Sequence, residues 1–346
     1  MVRIGIAGIG FMGVTHFKAI QRIRNAKCVA LFTRDAAELR GDWSKVQGNF
    51  GPPGGNFNLK RMGVRAYDNV DALIEDPNID LLDICLPTNH HPRATLQALQ
   101  AGKHVLVEKP LAITMRDADK MVATAKKCNR QLAVAQVLRY FPEFRLVKDL
   151  ADSGKHGSIR GAHFKRIISR PHWGAGWFER VKQTGGPALD LHIHDTDFVQ
   201  FLFGMPKAVQ STGLVAENGQ VEYITTQYLF DNKELNVTCN SGAVAMKSLM
   251  FEHGYDVYFE KATLMFDSAT MQRPKLYPEG DRKPIEPKVP GKDVFDAFVG
   301  EIKYAVDCIE TGVAPTIISG ETARDSLRIC LKEIESVKKG GKPVKL

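Results

Sequence analysis

Three glycines near the start of the chain are spaced to hold a diphosphate. Gly8-x-Gly10-x-x-Gly13 follows the apolar run Val2–Ala7 and opens a segment in which Phe17, Ile20 and Ile23 recur at helical spacing. Gly8 suits a tight turn, Gly10 lets the backbone approach a pyrophosphate, and Gly13 lets the helix sit close to the strand. The anion would then lie on the backbone around Phe11, Met12 and Gly13, where the helix dipole favours negative charge. A second run rich in chemistry is Asp190-Leu191-His192-Ile193-His194-Asp195-Thr196-Asp197. Histidine titrates near neutrality and suits a general base, and a carboxylate can orient it. Two geometries compete for this run. As a helix, it puts Asp190 and His194 on one face about 5–6 Å apart at Cβ, with Asp197 nearly alongside and His192 turned away. As a strand, it puts His192 and His194 on one face beside Asp195 and Asp197, a set suited to a metal-dependent hydrolase. Phe198, Phe201 and Leu202 continue at helical spacing, which favours the helix and no metal.

The glycine turn directs attention to three more segments. An acidic residue that holds an adenosine ribose stands ~20 residues beyond such a turn, at the end of the second strand. There the chain reads Phe32-Thr33-Arg34-Asp35. Thr33 takes the acidic position, and the Arg34 guanidinium can clamp a 2′-phosphate. NADP is therefore expected, with NAD as the alternative if Asp35 reaches the ribose. Leu86-Pro87-Thr88-Asn89-His90-His91 and Val107-Glu108-Lys109-Pro110 fall at C-terminal strand ends, where open α/β sheets bind ligands. A proline fixes the backbone in each. Pro87, Asn89, His91, Glu108 and Lys109 are accordingly candidate cofactor contacts.

These residues need a frame. Up to residue 137, strand-like segments (27–33, 79–86, 104–107, 131–137) alternate with helix-like ones (91–101, 114–129), which predicts a parallel sheet with helices on both faces. The Gly/Pro/Asn-rich stretch Gly48–Asn58 reads as a surface loop insertion. After Pro142 the grammar changes. A helix over 142–153 and a strand over 159–168 lead to a Gly/Trp/Arg loop over 169–186 and a helix over 187–203. Strands then follow one another over 207–215, 221–230, 234–240, 249–252, 255–260 and 263–266, which predicts a mostly antiparallel sheet. Helices near 293–311 and 320–338 close the chain. Two domains are expected, 1–130 for the dinucleotide and 131–346 for substrate and assembly. Too few helices remain to cover both faces of the second sheet, and an exposed apolar face would call for a homodimer or homotetramer.

Composition removes other classes. The net charge of +8 is spread along the chain, with no basic stripe interleaved with aromatics, so nucleic acid is not an expected partner. No apolar run is long enough to span a membrane. The opening apolar stretch is itself the glycine motif and lacks a basic leader, so no secretory signal is expected. The six cysteines include no C-x-x-C pair, as expected of buried free thiols in the cytoplasm.

Taken together, Gly8-x-Gly10-x-x-Gly13-x-x-His16, Pro87-x-x-x-His91, Ala101-Gly102-Lys103-His104-Val105-Leu106-Val107-Glu108-Lys109-Pro110 and Gly185-Gly186-x-x-x-Asp190-x-x-x-His194-x-x-Asp197 resemble the glucose–fructose oxidoreductase/inositol dehydrogenase (Gfo/Idh/MocA) family. The resemblance covers nearly the whole chain. It implies an N-terminal Rossmann domain, a C-terminal α/β domain with a large, mostly antiparallel open sheet, and NAD(P)-dependent redox chemistry on sugars or cyclitols. It also implies that Lys109, Asp190 and His194 form the catalytic trio. Thr33, where many members carry Asp, and the 48–58 insertion depart from the pattern.

The residue types suit that chemistry. Oxidising a secondary alcohol needs a base for the hydroxyl proton and a group that stabilises the developing oxyanion. His194 can supply the first, oriented by Asp190, and Lys109 the second. Arg139, Arg170, His172, Trp173 and Trp177 are candidate contacts for a sugar or polyol, since tryptophan faces stack on the C–H faces of sugar rings. A redox-assisted glycosidase would use the same residues. A non-catalytic nucleotide sensor would not need Lys109 and His194.

Overall fold

A computed structural model describes residues 1–48, 54–170, 180–249, 251–280, 283–291 and 294–346. The chain forms two compact units, Met1–Val137 with Phe295–Arg324, and Leu138–Val294 with Asp325–Leu346. This differs from a linear cut at residue 130. The Val294–Thr311 helix returns to the first unit, where it buries Ala297, Phe298, Ile302, Ala305 and Val306. The Asn25 amide fastens it by donating to Asp307 at 3.1 Å and Glu310 at 2.7 Å.

In the first unit, β1 (Val2–Ala7), β2 (Ala26–Phe32), β3 (Arg65–Tyr67), β4 (Leu81–Ile84), β5 (His104–Glu108) and β6 (Leu132–Ala135) form a sheet of order β3-β2-β1-β4-β5-β6. Every pairing is parallel. Burial on both faces explains why β4 and β6 read as continuous apolar runs, broken in β4 by Asp83. The strand order reverses between β1 and β4, which places the ligand crevice outside their C-terminal ends. Thr114 starts the Met115–Lys127 helix by accepting the Asp117 N–H at 3.2 Å. β3 gave no sequence signal because three residues are too few to show a period. Of the 48–58 insertion, residues 48 and 54–58 are described; Asn56 and Asn58 are exposed there, while the flank before it packs inward. Trp43 is fully buried, and its ring lies 4.7 Å from those of both Phe17 and Phe57.

In the second unit, β7 (Ile159–Ser169), β8 (Ala208–Val215), β9 (Val221–Leu229), β10 (Asn236–Ala245), β11 (Glu252–Phe259), β12 (Ala262–Asp267), β13 (Lys275–Pro278) and β14 (Val344–Lys345) make a sheet of order β13-β12-β11-β7-β10-β9-β8-β14. Only β7 and β10 pair in parallel. The two strands expected over 249–252 and 255–260 are the single strand β11. Gly254 reads as a break, yet it pairs with Lys165 and Asp267, and a Cβ there would come within 2.3 Å of the Phe266 carbonyl oxygen. One face buries Phe164 and Ile168 of β7, Tyr255 and Val257 of β11 and Leu264 of β12. His253 lies in a box of aromatic rings, with Phe251 at 5.2 Å, Phe266 at 5.8 Å, Phe141 at 5.9 Å and Phe144 at 6.0 Å. The opposite face is mixed rather than apolar. There the Lys165 ammonium donates to Glu252 at 2.5 Å and Asp267 at 2.7 Å, and the His163 ring lies 2.9 Å from the Thr238 hydroxyl. No helix among the described residues is long and apolar enough to cross a membrane.

Candidate active site

The glycine turn is built as its spacing suggests. Gly8 holds φ 104°, in the left-handed region, and a Cβ there would sit 2.9 Å from the Cys85 carbonyl oxygen. A Cβ on Gly13 would lie 1.9 Å from the Gly8 carbonyl oxygen, so only glycine lets the Phe11–Ile20 helix start this close to β1. Gly10 is exposed, and a Cβ there would meet nothing within 4 Å. It begins the helix without a side-chain cap. An open backbone bend at a helix start fits the diphosphate of a dinucleotide.

At the end of β2, Thr33 is buried, and its hydroxyl donates to the Glu38 carboxylate. Burial raises Glu38 above the usual carboxylate range. Asp35 is spent on the next helix, where its Oδ1 accepts the Ala37 N–H at 2.7 Å and the Glu38 N–H at 3.0 Å, and these bonds lower its pKa. Arg34 is exposed beside them. A carboxylate, Glu38, thus stands against Thr33 at the position where the acidic residue was missing. Its place five residues further on hid it from a reading of the strand end alone.

Beyond β4, Pro87 starts a short turn that carries Asn89, exposed. His91 is 1% exposed, with Nε2 at 2.8 Å from the Leu86 carbonyl oxygen and Nδ1 at 2.9 Å from that of Pro110. Burial lowers its pKa, so the neutral ring has one N–H to donate to one of the two carbonyls. His91 therefore braces the β4 and β5 ends. Glu108 is also buried, and its Oε2 accepts the Lys109 N–H at 3.0 Å. Lys109 is half-buried and joined to Pro110 by a cis peptide.

In the second unit the expected helix over 187–203 is two helices, Pro187–Asp190 and Ile193–Phe203, joined through a turn at Leu191 and His192. Asp190 ends the first and His194 lies at the start of the second, both half-buried. A turn, not one continuous helix, therefore separates Asp190 from His194.

A profile described as the oxidoreductase family with an NAD-binding Rossmann fold (GFO_IDH_MocA) matches residues 2–136, and one for the C-terminal domain of the same family matches residues 144–265. This protein belongs to the Gfo/Idh/MocA oxidoreductases. The chain is 27% identical to myo-inositol 2-dehydrogenase of Thermotoga maritima, over 97% of this chain and 98% of that protein. Its fold matches an aldose-aldose oxidoreductase from Caulobacter crescentus with a TM-score of 0.83 at 22% identity, covering 100% and 99% of the two chains. It matches a levoglucosan dehydrogenase crystallised with NADH and levoglucosan with a TM-score of 0.84 at 18% identity, covering 99% of each.

Within this Gfo/Idh/MocA oxidoreductase, the rest of the 190–197 run faces inward. His192 is fully buried, with Nδ1 at 2.8 Å from the Ser241 hydroxyl and Nε2 at 3.2 Å from Glu333. Arg166 donates to both carboxylate oxygens of Asp195, at 2.8 and 3.0 Å. Arg139 does the same to Asp197, at 2.7 Å for each bond, and Ser326 donates to Asp197 at 2.8 Å. The strand that a His-x-His metal site requires is absent from these described residues, and three of the side chains it would use are bound elsewhere. Arg139, expected near substrate, is 1% exposed and also reaches Gln200 at 3.1 Å. Arg170 is exposed and paired with Glu222. His172, Trp173 and Trp177 lie outside the described residues.

One cluster escaped the sequence reading. His16, Asp83, Cys85, Glu108 and Glu301 meet beneath the glycine turn. The signals were present in Asp83, a charge inside an apolar strand, and in the motif's own His16. Glu301 could not be paired with them, because it lies nearly three hundred residues from His16. The His16 Nδ1 to Asp83 Oδ2 distance of 2.9 Å is that of a hydrogen bond. Two ligands at about 2.1 Å on a tetrahedral metal would stand about 3.4 Å apart.

Proposed function

We propose that this protein oxidises a secondary hydroxyl of a sugar, sugar derivative or cyclitol, using a nicotinamide dinucleotide. The observation that carries this reading is the glycine cradle at the β1–β4 switch point with Lys109 fixed at the end of the neighbouring β5. The full-length likeness to an inositol dehydrogenase supports the substrate class. Gly8, Gly10 and Gly13 would hold the diphosphate, with Phe11 and Met12 at the helix start, and Pro87 and Asn89 would line the crevice beyond β4. When bound, the nicotinamide supplies the hydride acceptor. His194 takes the hydroxyl proton, Asp190 orients the imidazole, and Lys109 stabilises the oxyanion as charge develops on the substrate oxygen. Glu108 and His91 hold the loop that presents Lys109 instead of touching the cofactor.

The exposed Arg34 supports NADP, through a charge-assisted clamp on a 2′-phosphate. The Glu38 carboxylate against Thr33 supports a second reading, NAD, because it would accept a ribose hydroxyl and repel a phosphate. We assign the protein to a homodimer or homotetramer formed on the open sheet face, where Leu214, Val244, Tyr258 and Tyr277 are exposed among the polar residues. A 38 kDa particle by light scattering at micromolar concentration would overturn that assignment. All six cysteines are unpaired, which supports a cytoplasmic setting.

The deciding experiment is a panel of inositols, aldoses and anhydrosugars with NAD+ and NADP+, followed by nicotinamide absorbance and product analysis. Reduction with a keto-sugar or keto-cyclitol product is expected. A protein that binds nucleotide but reduces none across the panel refutes the reading, and cleavage of a glycoside without net reduction makes it a redox-assisted glycosidase.

A further inference from the structure

Four buried ionisable side chains and the half-buried Cys85 cluster in the first unit, and the chemistry of the reaction uses none of them directly. His16 and Glu301 are both 0% exposed, and Asp83 likewise. The His16 ring is fixed on one side by β4, with Nδ1 at 2.9 and 3.1 Å from the two Asp83 oxygens and 3.5 Å from the Cys85 sulfur. On its other side Nε2 lies 3.2 Å from Oε1 of Glu108 and 3.8 Å from Oε1 of Glu301. Phe298 closes the cluster with its ring 6.3 Å from that of His16. Glu108 then turns its second oxygen to the N–H of Lys109 at 3.0 Å. A continuous line of polar contacts thus runs from β4 through the glycine-turn helix to the backbone of the residue at the end of β5.

We propose that His16 is a positioning residue for Lys109, acting through Glu108. The argument is geometric. Glu108 Oε1 faces the imidazole and Oε2 holds the Lys109 amide, so the rotation of one carboxylate group sets both. His16 cannot drift, because its ring is anchored to Asp83 from behind. Charge supports the same picture. Burial opposes a charged imidazole, but attraction to the Asp83 carboxylate outweighs it and holds His16 protonated well above its ordinary range. Burial also keeps Glu301 protonated, despite the nearby imidazolium. Glu301 therefore competes weakly for His16, and the imidazolium's field falls on Asp83 and Glu108.

The role of Lys109 in this inference rests on the dehydrogenase reading, but the positioning can be measured without turnover. The amide nitrogen of asparagine overlays Nδ1 of histidine, and that of glutamine overlays Nε2. His16→Asn keeps the donor toward Asp83 and removes the ion contact of Nε2 with Glu108, whereas His16→Gln keeps an N–H on the Glu108 side. Hydrogen exchange at the Lys109 amide, read in the full chain, should accelerate about tenfold or more in His16→Asn. It should stay within about threefold of the parent in His16→Gln, and amides of β4 should keep their protection in both. Misplacement of a catalytic group by about 1 Å costs up to roughly a hundredfold. With a turned-over polyol, kcat should therefore fall about ten- to a hundredfold in His16→Asn, with KM for the nucleotide within about threefold. Unchanged Lys109 exchange in His16→Asn, or equal effects in the two variants, overturns the proposal. If His16→Asn does not fold, Asp83→Asn releases the ring's anchor and should accelerate Lys109 exchange at least about threefold, and no acceleration overturns it. A parent protein that reduces no nicotinamide with any polyol refutes the dehydrogenase reading, and the exchange data still decide the positioning.

Discussion

Replacing Arg139 with methionine separates two roles that the sequence alone left joined. A guanidinium that binds sugar would, when lost, raise KM and leave the fold intact. The structure instead buries Arg139 at 1% and Asp197 at 0% exposure, joined by two bonds of 2.7 Å. Arg139→Met keeps most of the apolar stem but leaves the Asp197 carboxylate with the 2.8 Å bond from Ser326 in place of three donors. Removing one partner of a buried ion pair costs about 3–5 kcal/mol. For a unit of roughly 150–250 residues, about 2–4 °C is lost per kcal/mol, so the second unit should melt about 6–20 °C lower. A double variant, Arg139→Met with Asp197→Leu, should recover at least about half of that loss, because no unpaired charge stays buried. Scanning calorimetry of the parent, both single variants and the double variant closes the cycle, with KM for the polyol measured below the transition. An Arg139→Met protein that melts within about 2 °C of the parent while KM rises by about tenfold or more would refute the structural role and return Arg139 to the substrate.

Lys109→Met and His194→Ala should each bind nucleotide as the parent does and lose about a hundredfold or more in turnover, measured by calorimetry and steady-state kinetics. Asp190→Asn should bind nucleotide as the parent does but turn over about tenfold or more slowly, because the imidazole loses the carboxylate proposed to orient it, and calorimetry with steady-state kinetics checks both. His192→Ala should leave turnover of the folded protein nearly unchanged but cost about 1–3 kcal/mol in denaturant titration, because Ser241 and Glu333 lose a buried partner. For the cofactor, Arg34→Ala should abolish any preference for NADP(H), and Glu38→Gln should tighten NADP(H) relative to NAD(H), both by calorimetric titration. NAD preferred by the parent would leave Glu38 as the ribose contact. His253, in its aromatic box and facing Arg166, is pushed down to about 3 from the ordinary 6.5, first by burial. The unfolded chain then binds one more proton than the native one between those values, so stability falls with acid by about 1.4 kcal/mol per pH unit below 6.5. His253→Phe should flatten that slope in denaturant titrations from pH 7 to 4, and an unchanged slope would show that the burial of His253 is not the cause.

Much of the candidate site could be read from local sequence because its chemistry is local. The glycine turn, the Thr114 cap and the Glu108-Lys109-Pro110 strand end each depend on neighbours within one turn or strand, and they stand where the spacing put them. The Asp190–His194 pair was legible in residue type but not in geometry. Helical periodicity continues through Phe198 and Phe201, yet the chain turns at Leu191 and His192, where His192 swings inward to Ser241. Nothing within the run specifies that turn, and the partner that His192 meets there lies on β10, remote in sequence. The Arg139–Asp197 pair was illegible for the same reason, because the two partners are remote in sequence.

By itself the sequence determined the class of the protein: a parallel nucleotide-binding sheet followed by a mostly antiparallel one, and an oxidoreductase family. Period-2 and period-3.6 patterns and turn glycines are short-range consequences of backbone sterics and water exclusion, so they survive without tertiary information. The tertiary structure decided where charge is neutralised. It returned the Val294–Thr311 helix to the first unit and brought Glu301 to His16. It placed Glu38 against Thr33, tied Arg139 to Asp197, and made the open sheet face polar and apolar together. Each of these depends on a buried polar group finding a partner far away in the chain. Burial makes such pairing obligatory, but the chain's order gives no indication of which partner meets that need.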